Sequence, residues 1–250
     1  MNCEVEMKKT LIIIPTYNEM GNIDRILEAV FREITDVHVL IVDDNSPDKT
    51  YDRVIELEKM HYKGNLFLLH RSVKEGLGRA YIAGFKWALE KGYEYIFEMD
   101  ADFSHNPIYL PRFIEALDSG ADLAIGSRYI QGGGVKGWGL DRKIISKGGS
   151  TYAKLILGLS LNDLTGGYKC FKREVLECIG LDRVRSNGYS FQIELTYRTI
   201  LAKYKVVEVP IIFEDREVGV SKMSKKIFVE ALKMVWWMRK NKKKILMGKV

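Results

Sequence analysis

The chain has 250 residues, 46% of them apolar and 29% charged, enough to bury a sizeable core and too apolar to stay disordered. Its three cysteines (Cys3, Cys170, Cys178) share no CxxC spacing, which supports neither a disulfide framework nor a zinc site and implies a reducing setting. The net charge of +6 is concentrated at one end: residues 221–250 hold nine lysines, one arginine and one glutamate, leaving −3 over the first 220, so no diffuse nucleic-acid surface is implied.

The polar N-terminus MNCEVEMKK lacks the apolar core of a signal peptide, and no apolar run approaches the ~20 residues that span a bilayer. From residue 10 onward, short apolar runs alternate with helical patterns. TLIIIP (10–15) reads as a strand, and Ile23, Ile26, Leu27, Val30 and Ile34 recur at helical spacing over 21–34. VHVLIVD (37–43) is a second strand, followed by a helix over 48–60. LFLL (66–69) is a third, followed by a helix over 78–91 in which Ala80 and Gly84 permit close packing on a sheet. YEYIFEMD (93–100) and DLAIG (122–126) are the fourth and fifth, with a helix over 108–119 between them. Strands without polar alternation, separated by helices, predict an α/β fold with a mostly parallel sheet covered on both faces. Such doubly wound sheets bind ligands beyond the carboxyl ends of their strands. Residues 128–150, with seven glycines, read as a loop that orders on binding. Helices over 151–158, 173–179 and 189–202 and a strand over 205–213 complete the domain.

Three polar clusters end parallel strands: PTYNE (15–19), VDDNS (42–46) and DADFS (100–104). Any one of them could be a plain turn or helix cap, but turns do not need near-adjacent carboxylates at three strand ends. The turn after the first strand lacks GxGxxG, and there is no GxxxxGK[ST], so neither a dinucleotide nor a P-loop site is indicated. A carboxylate-rich rim repels a bare diphosphate and therefore calls for a divalent cation between them. Asp100 and Asp102 supply hard oxygen ligands for Mg²⁺ or Mn²⁺ shared with substrate phosphates. Asp44 and Glu19 are candidates to accept hydrogen bonds from a base or ribose. The second half brings the opposite sign: Arg128 past the fifth strand, Arg142 and Lys143 in the glycine-rich segment, then Arg216 and Lys222. Arginine forks grip phosphate bidentately and lysine adds a point charge. His105 reads as a turn residue. Together the acids and cations point to two phosphorylated substrates.

PTYNE, VDDNSPDKT, MDADFSH, GSRY, LTGGYKCF and the series Phe213, Arg216, Gly219, Ser221, Lys222 occur in this order. Over nearly its whole length the chain resembles the dolichol-phosphate mannose synthases, a branch of the inverting glycosyltransferase family 2 of GT-A (Rossmann-like) fold. The resemblance implies a GT-A domain over 1–223 and a basic amphipathic C-terminal helix and tail over 224–250. It implies transfer of mannose from GDP-mannose to dolichyl or another polyprenyl phosphate with inversion. The alternatives are the same fold with UDP-glucose or another donor, and a non-catalytic binding partner. The nucleotide would lie on Pro15, Tyr17, Glu19, Val42, Asp44, Asp100, Ala101 and Asp102. Asp102, with Ser104 and Asp100, would hold Mg²⁺ or Mn²⁺; some relatives carry Gln where this chain has Ser104. Arg128, Arg142, Arg216 and Lys222 would grip the sugar diphosphate and the lipid phosphate as the catalytic cations, with Asp102. Many relatives continue into transmembrane helices that this chain lacks, and in that it is like the short form that docks on a small integral-membrane subunit.

In the tail, Ile227, Phe228, Ala231, Leu232, Val235 and Trp236 share one helical face. The pair Trp236–Trp237 followed by Arg239, Lys240 and Lys242–Lys244 favours a peripheral helix on anionic lipid, on the cytoplasmic side of a membrane, over one simply packed on the sheet.

Overall fold

The computed structural model describes residues 9–215 and 225–250. The first five strands are β1 (Thr10–Thr16), β2 (Val37–Asp43), β3 (Leu66–His70), β4 (Tyr95–Glu98) and β5 (Leu123–Ser127). Helices α1 (Ile23–Glu33), α2 (Thr50–Met60), α3 (Leu77–Glu90) and α4 (Leu110–Asp118) alternate with them. The second half adds β6 (Gly134–Val135), α5 (Leu140–Leu157), β7 (Lys169–Lys172), α6 (Arg173–Cys178) and α7 (Tyr189–Leu201). It ends with β8 (Val206–Pro210), β9 (Ile212–Phe213), α8 (Lys225–Lys240) and α9 (Lys242–Leu246).

The main sheet has the order β3-β2-β1-β4-β7-β5-β8, parallel throughout except for β7. Strand alternation sends successive apolar residues into two cores. Leu11, Ile13, Leu40, Val42 and Ile96 face the layer of α3, α5, α6 and α7, whereas Ile12, Ile14, Val39, Ile41 and Phe97 face α1, α2 and α4. Both faces are covered, which is why these strands read as unbroken apolar runs. Helix α3 approaches as the sequence predicts: a Cβ at Gly84 would stand 2.7 Å from Ile13 Cγ2.

Three features differ from the sequence reading. The predicted loop over 128–150 ends at residue 139, and its second half is the start of the 18-residue α5. Gly148 and Gly149 each disfavour a helix interior by about 1 kcal/mol, but tertiary packing through buried Ser150, Ala153 and Leu157 overrides that preference. The LTGGYKCF stretch supplies β7, an antiparallel strand inserted between β4 and β5. Hydropathy hid this strand because it begins and ends on lysine, and Lys169 is fully buried opposite Glu98 in the β4–β7 register. The strand predicted over 205–213 breaks at Ile211. β8 pairs with β5, ending on Pro210 at the sheet edge where a missing N–H is tolerated, and β9 pairs with β6 in a separate ribbon.

Helix α8 packs on α5 and α7 and buries Val235 and Met238 in the same core as those helices. The two tryptophans part company: Trp237 is partly buried with the Arg185 guanidinium 4.9 Å from its ring, while Trp236 is 48% exposed. The side chains of Ile227 and Phe228 lie outside the described residues. Among the described residues, no helix is long and apolar enough to cross a membrane.

Candidate active site

Because β2, β1 and β4 are adjacent and parallel, the turns at their carboxyl ends lie side by side. The first two are tied together by side chains. Asp43, fully buried, accepts from Thr16 Oγ1 at 2.7 Å, Ser46 Oγ at 2.6 Å and Ser46 N at 2.9 Å. Ser46 Oγ in turn accepts from Asn18 N at 3.1 Å, and Thr50 Oγ1 from Glu19 N at 3.1 Å. Asn18 and Asn45 take left-handed backbone conformations, φ 61° and 56°, that asparagine adopts at small cost. Of the two adjacent aspartates, Asp43 is thus spent on the turn. Asp44 lies 2.9 Å from Arg71 as an ion pair without hydrogen-bond alignment. Burial raises the Asp44 carboxyl above its ordinary range, against the pull of Arg71. Lys74 sits 3.3 Å over the Tyr17 ring, closing this side of the rim.

After β4, the MDADFSH turn is held from three directions. Tyr81, buried on α3, donates to Asp100 Oδ1 at 3.1 Å. Burial, reinforced by the Asp100 charge, keeps that phenol protonated well above its usual range. The Asp100 backbone N–H donates to His105 Nδ1 at 2.9 Å, which places the proton of a neutral ring on Nε2. His105 is buried and stacked on Tyr168 at 4.9 Å, so its turn role consists of clamping the Asp100 backbone. Asp102 Oδ1 accepts from Ser104 N at 3.1 Å and Ser104 Oγ at 2.6 Å. Between them Phe103 is held at φ 62°, a left-handed conformation that costs a bulky residue roughly 1–2 kcal/mol.

Beneath this turn lies a buried polar cluster. Lys169 Nζ donates to Gln192 O at 2.7 Å and Gln192 Oε1 at 2.6 Å. Burial pushes Lys169 down to about 8 and Glu98 up to about 8, each partly countered by the other's charge. Glu98, the remaining acid of YIFEMDADFSH, is thus a buried neighbour of Lys169 and Gln192 behind the rim.

Antiparallel β7 returns β5 to the direction of β4, so Arg128 emerges on the same edge as the carboxylates. It is buried, with Nε 2.7 Å from Asp163 Oδ2, Nη2 2.7 Å from Asp163 Oδ1 and Nη2 2.8 Å from Thr165 Oγ1. Burial alone would raise the Asp163 carboxyl, but the Arg128 charge and hydrogen bonds hold it below the usual range. The two motifs GSRY and LTGGY interlock through a glycine: a Cβ at Gly166 would stand 2.9 Å from Gly126 O. Arg142, in the first turn of α5, pairs with Asp215 at 2.6 Å and stacks on Trp138 with its guanidinium 4.2 Å from the ring. The β6–β9 ribbon carries Lys136 and Asp215 alongside.

The sheet edge therefore gathers Tyr17, Glu19, Asp44, Asp100, Ala101, Asp102 and Ser104 at its turns and Arg128 beyond β5, while Pro15 and Val42 lie inside the last residues of β1 and β2, Val42 with its side chain in the core. Arg216 and Lys222 lie outside the described residues. Asp163, Trp138, Arg71 and Tyr81 escaped the sequence reading. Only Trp138, a lone aromatic between glycines in KGWGLDR, carried a local signal. Among the described residues, no three carboxylate, imidazole or thiolate groups gather into a metal cage. Asp100 and Asp102 nevertheless fit a divalent cation, since Mg²⁺ and similar ions take one or two protein carboxylates when substrate phosphates supply other oxygens.

An α/β sheet with acids at its carboxyl edge and arginines opposite defines a GT-A-like fold, and solved structures share it. A glucosyl-3-phosphoglycerate synthase from Mycobacterium tuberculosis, in complex with Mn²⁺, UDP and glucosyl-3-phosphoglycerate, aligns with a TM-score of 0.66 at 14% identity, covering 95% of this chain and 80% of that one. A mannosyltransferase from Pyrobaculum calidifontis in complex with GDP-mannose and Mn²⁺ aligns with a TM-score of 0.58 at 16% identity, covering 96% and 73%. The Glycosyl transferase family 2 model matches residues 11–180, and the chain belongs to that family as a glycosyltransferase. Among curated relatives, a polyprenol monophosphomannose synthase from Mycolicibacterium smegmatis is 49% identical over 92% of this chain and 87% of its own length. An undecaprenyl-phosphate mannosyltransferase from Micrococcus luteus is 46% identical over 90% and 91%.

Proposed function

We propose that the chain is a polyprenyl-phosphate mannosyltransferase that moves mannose from GDP-mannose to dolichyl or a related polyprenyl phosphate with inversion. The observation that carries this reading is the near full-length identity to two enzymes named for that acceptor class, on a chain whose sheet edge sets carboxylates against arginines. The acceptor phosphate, with a second pKa near ~6, is an anion at neutral pH. Its oxygen forms the new bond to the anomeric carbon as the bond to the diphosphate breaks, and the electron pair leaves with GDP. No proton has to be removed, so no general base is required. Asp102 and Asp100 would hold Mg²⁺ or Mn²⁺, which when bound neutralises the diphosphate and favours its departure. Ser104 orients Asp102 by donating to it. Tyr81 and the His105 ring fix Asp100. Pro15, Tyr17, Glu19, Val42, Asp44 and Ala101 serve the nucleotide. Arg128, Arg142, Arg216 and Lys222 serve the phosphates, and Arg142 does so by exchanging its exposed partner Asp215.

The enzyme works as a peripheral protein on the cytoplasmic side of a membrane, either alone or docked on a small membrane subunit. Exposed Leu140, Ile144 and Leu155 on α5, exposed Trp236 on α8 and the Lys242–Lys244 run support that placement. The test pairs the purified chain and a polyprenyl phosphate with labelled GDP-mannose, UDP-glucose and a UDP-N-acetylhexosamine. Lipid-linked product from GDP-mannose is expected; product from a UDP sugar alone, or only free sugar, removes the reading.

A further inference from the structure

Trp138 is buried to 8% exposure, and its Nε1 is closed to solvent without a hydrogen-bond partner among the described residues. An indole N–H can only donate, and a buried donor left unmade is unfavourable and rare enough to need a cause. Among the described residues, the side chains packed on its ring are not acceptors. The Arg142 guanidinium stacks 4.2 Å from its ring, the Arg128 guanidinium lies 5.5 Å away, and Phe213 packs against it at 5.2 Å. Guanidinium groups and phenyl rings offer no acceptor to an N–H of this strength. Asp163 and Asp215, the acids of the neighbourhood, are directed at the arginines.

An acceptor that fits between two cations is an anion. We infer that Trp138 Nε1–H donates to a phosphate oxygen of a bound substrate, making Trp138 a phosphate-binding residue between Arg128 and Arg142. This rests on the reading above that those arginines serve phosphates. The Arg142 guanidinium on the ring is paired with Asp215, and those two side chains are 31% and 39% exposed. An exposed ion pair of this kind contributes little net stability, so Arg142 can turn from Asp215 to an incoming phosphate and open the indole edge. The buried Arg128–Asp163 pair stays fixed behind it.

The experiment uses the full chain labelled with ¹⁵N-tryptophan, whose four indole signals are told apart with Trp138→Phe. Geranyl phosphate, geraniol and GDP are titrated separately, each with binding followed by calorimetry. The expected result is a downfield move of the Trp138 indole proton with a phosphate ligand and none with geraniol. A response to geranyl phosphate assigns the contact to the acceptor, a response to GDP to the leaving diphosphate. Trp138→Phe keeps an aromatic face for the guanidinium but loses the five-membered ring with its N–H, and is expected to raise KM for the responding substrate about tenfold, or 1.4 kcal/mol, beside the modest stability loss of a buried large-to-small change. An unmoved indole with both phosphates, an equal move with geraniol, or a wild-type KM in the Phe variant overturns the assignment. If the indole responds but no mannosyl lipid forms, the functional reading fails and the phosphate contact stands. If product forms and the indole is silent, the reverse holds.

Discussion

At the turns after β1, β2 and β4, carboxylates are oriented chiefly by neutral donors: Thr16 and Ser46 on Asp43, Tyr81 on Asp100, Ser104 on Asp102. Beyond β5, both described arginines of the site meet acids instead, Arg128 with Asp163 and Arg142 with Asp215. The difference has a physical consequence. A hydroxyl fixes the position of a carboxylate without adding charge, whereas a guanidinium does both. The second region holds its positive charge in pairs, one buried and one largely at the surface. Among the described residues, Asp44 with Arg71 is an ion pair on the acidic side, at the turn after β2.

Substitutions should separate the two regions. The largest effect is expected at the buried pair: Asp163→Ala leaves the Arg128 charge uncompensated and should lower stability by about 3–5 kcal/mol, read as a urea midpoint. Because Asp163 has a folded pKa below 3.8, its contribution is complete above that value and is lost as pH falls through the lower folded one. The variant should therefore lose less stability than the parent across that acid window. A mild stability change would mean that Arg128 is held no more firmly than Arg142. Next is Asp102→Ala, for which turnover should fall ~10²–10³-fold with the melting temperature nearly unchanged, and saturating Mn²⁺ should not restore it. Retained turnover would take Asp102 out of the cation site. For Ser104→Ala a roughly tenfold weaker Mn²⁺ half-saturation is expected, as for groups that orient a metal's ligands. No change there would reduce Ser104 to a turn former. The smallest effect is at the tail, where Lys243→Gln should weaken binding to anionic vesicles by about 1 kcal/mol. Equal binding to neutral vesicles would detach the tail from a lipid role.

Much of the parallel half was legible because each strand is covered on both faces and each helix keeps a single apolar stripe. Ile12 to Ile14 and Val39 to Val42 can sit almost nowhere else. What escaped was decided by contacts distant in sequence. β7 is a strand because Lys169 finds Glu98 and Gln192 in the interior, which no local pattern announces. The early start of α5 reflects packing that outweighs two helix-interior glycines. In the site, Asp100 and Asp102 were visible from their place at a strand end. The partner of Arg128 was not, since Asp163 lies 35 residues on and reads as part of a loop. Ser104 was legible as a residue of interest, and its geometry gives it a definite act, donation to Asp102.

The most direct test compares two acceptors under one donor. Purified chain, GDP-mannose and Mn²⁺ are incubated with a polyprenyl phosphate or with the corresponding polyprenol, and lipid-linked mannose is measured. An acceptor that arrives as an anion needs no general base, so the account predicts mannosyl lipid from the phosphate and none from the alcohol. Transfer to the alcohol, or none to the phosphate, would contradict it.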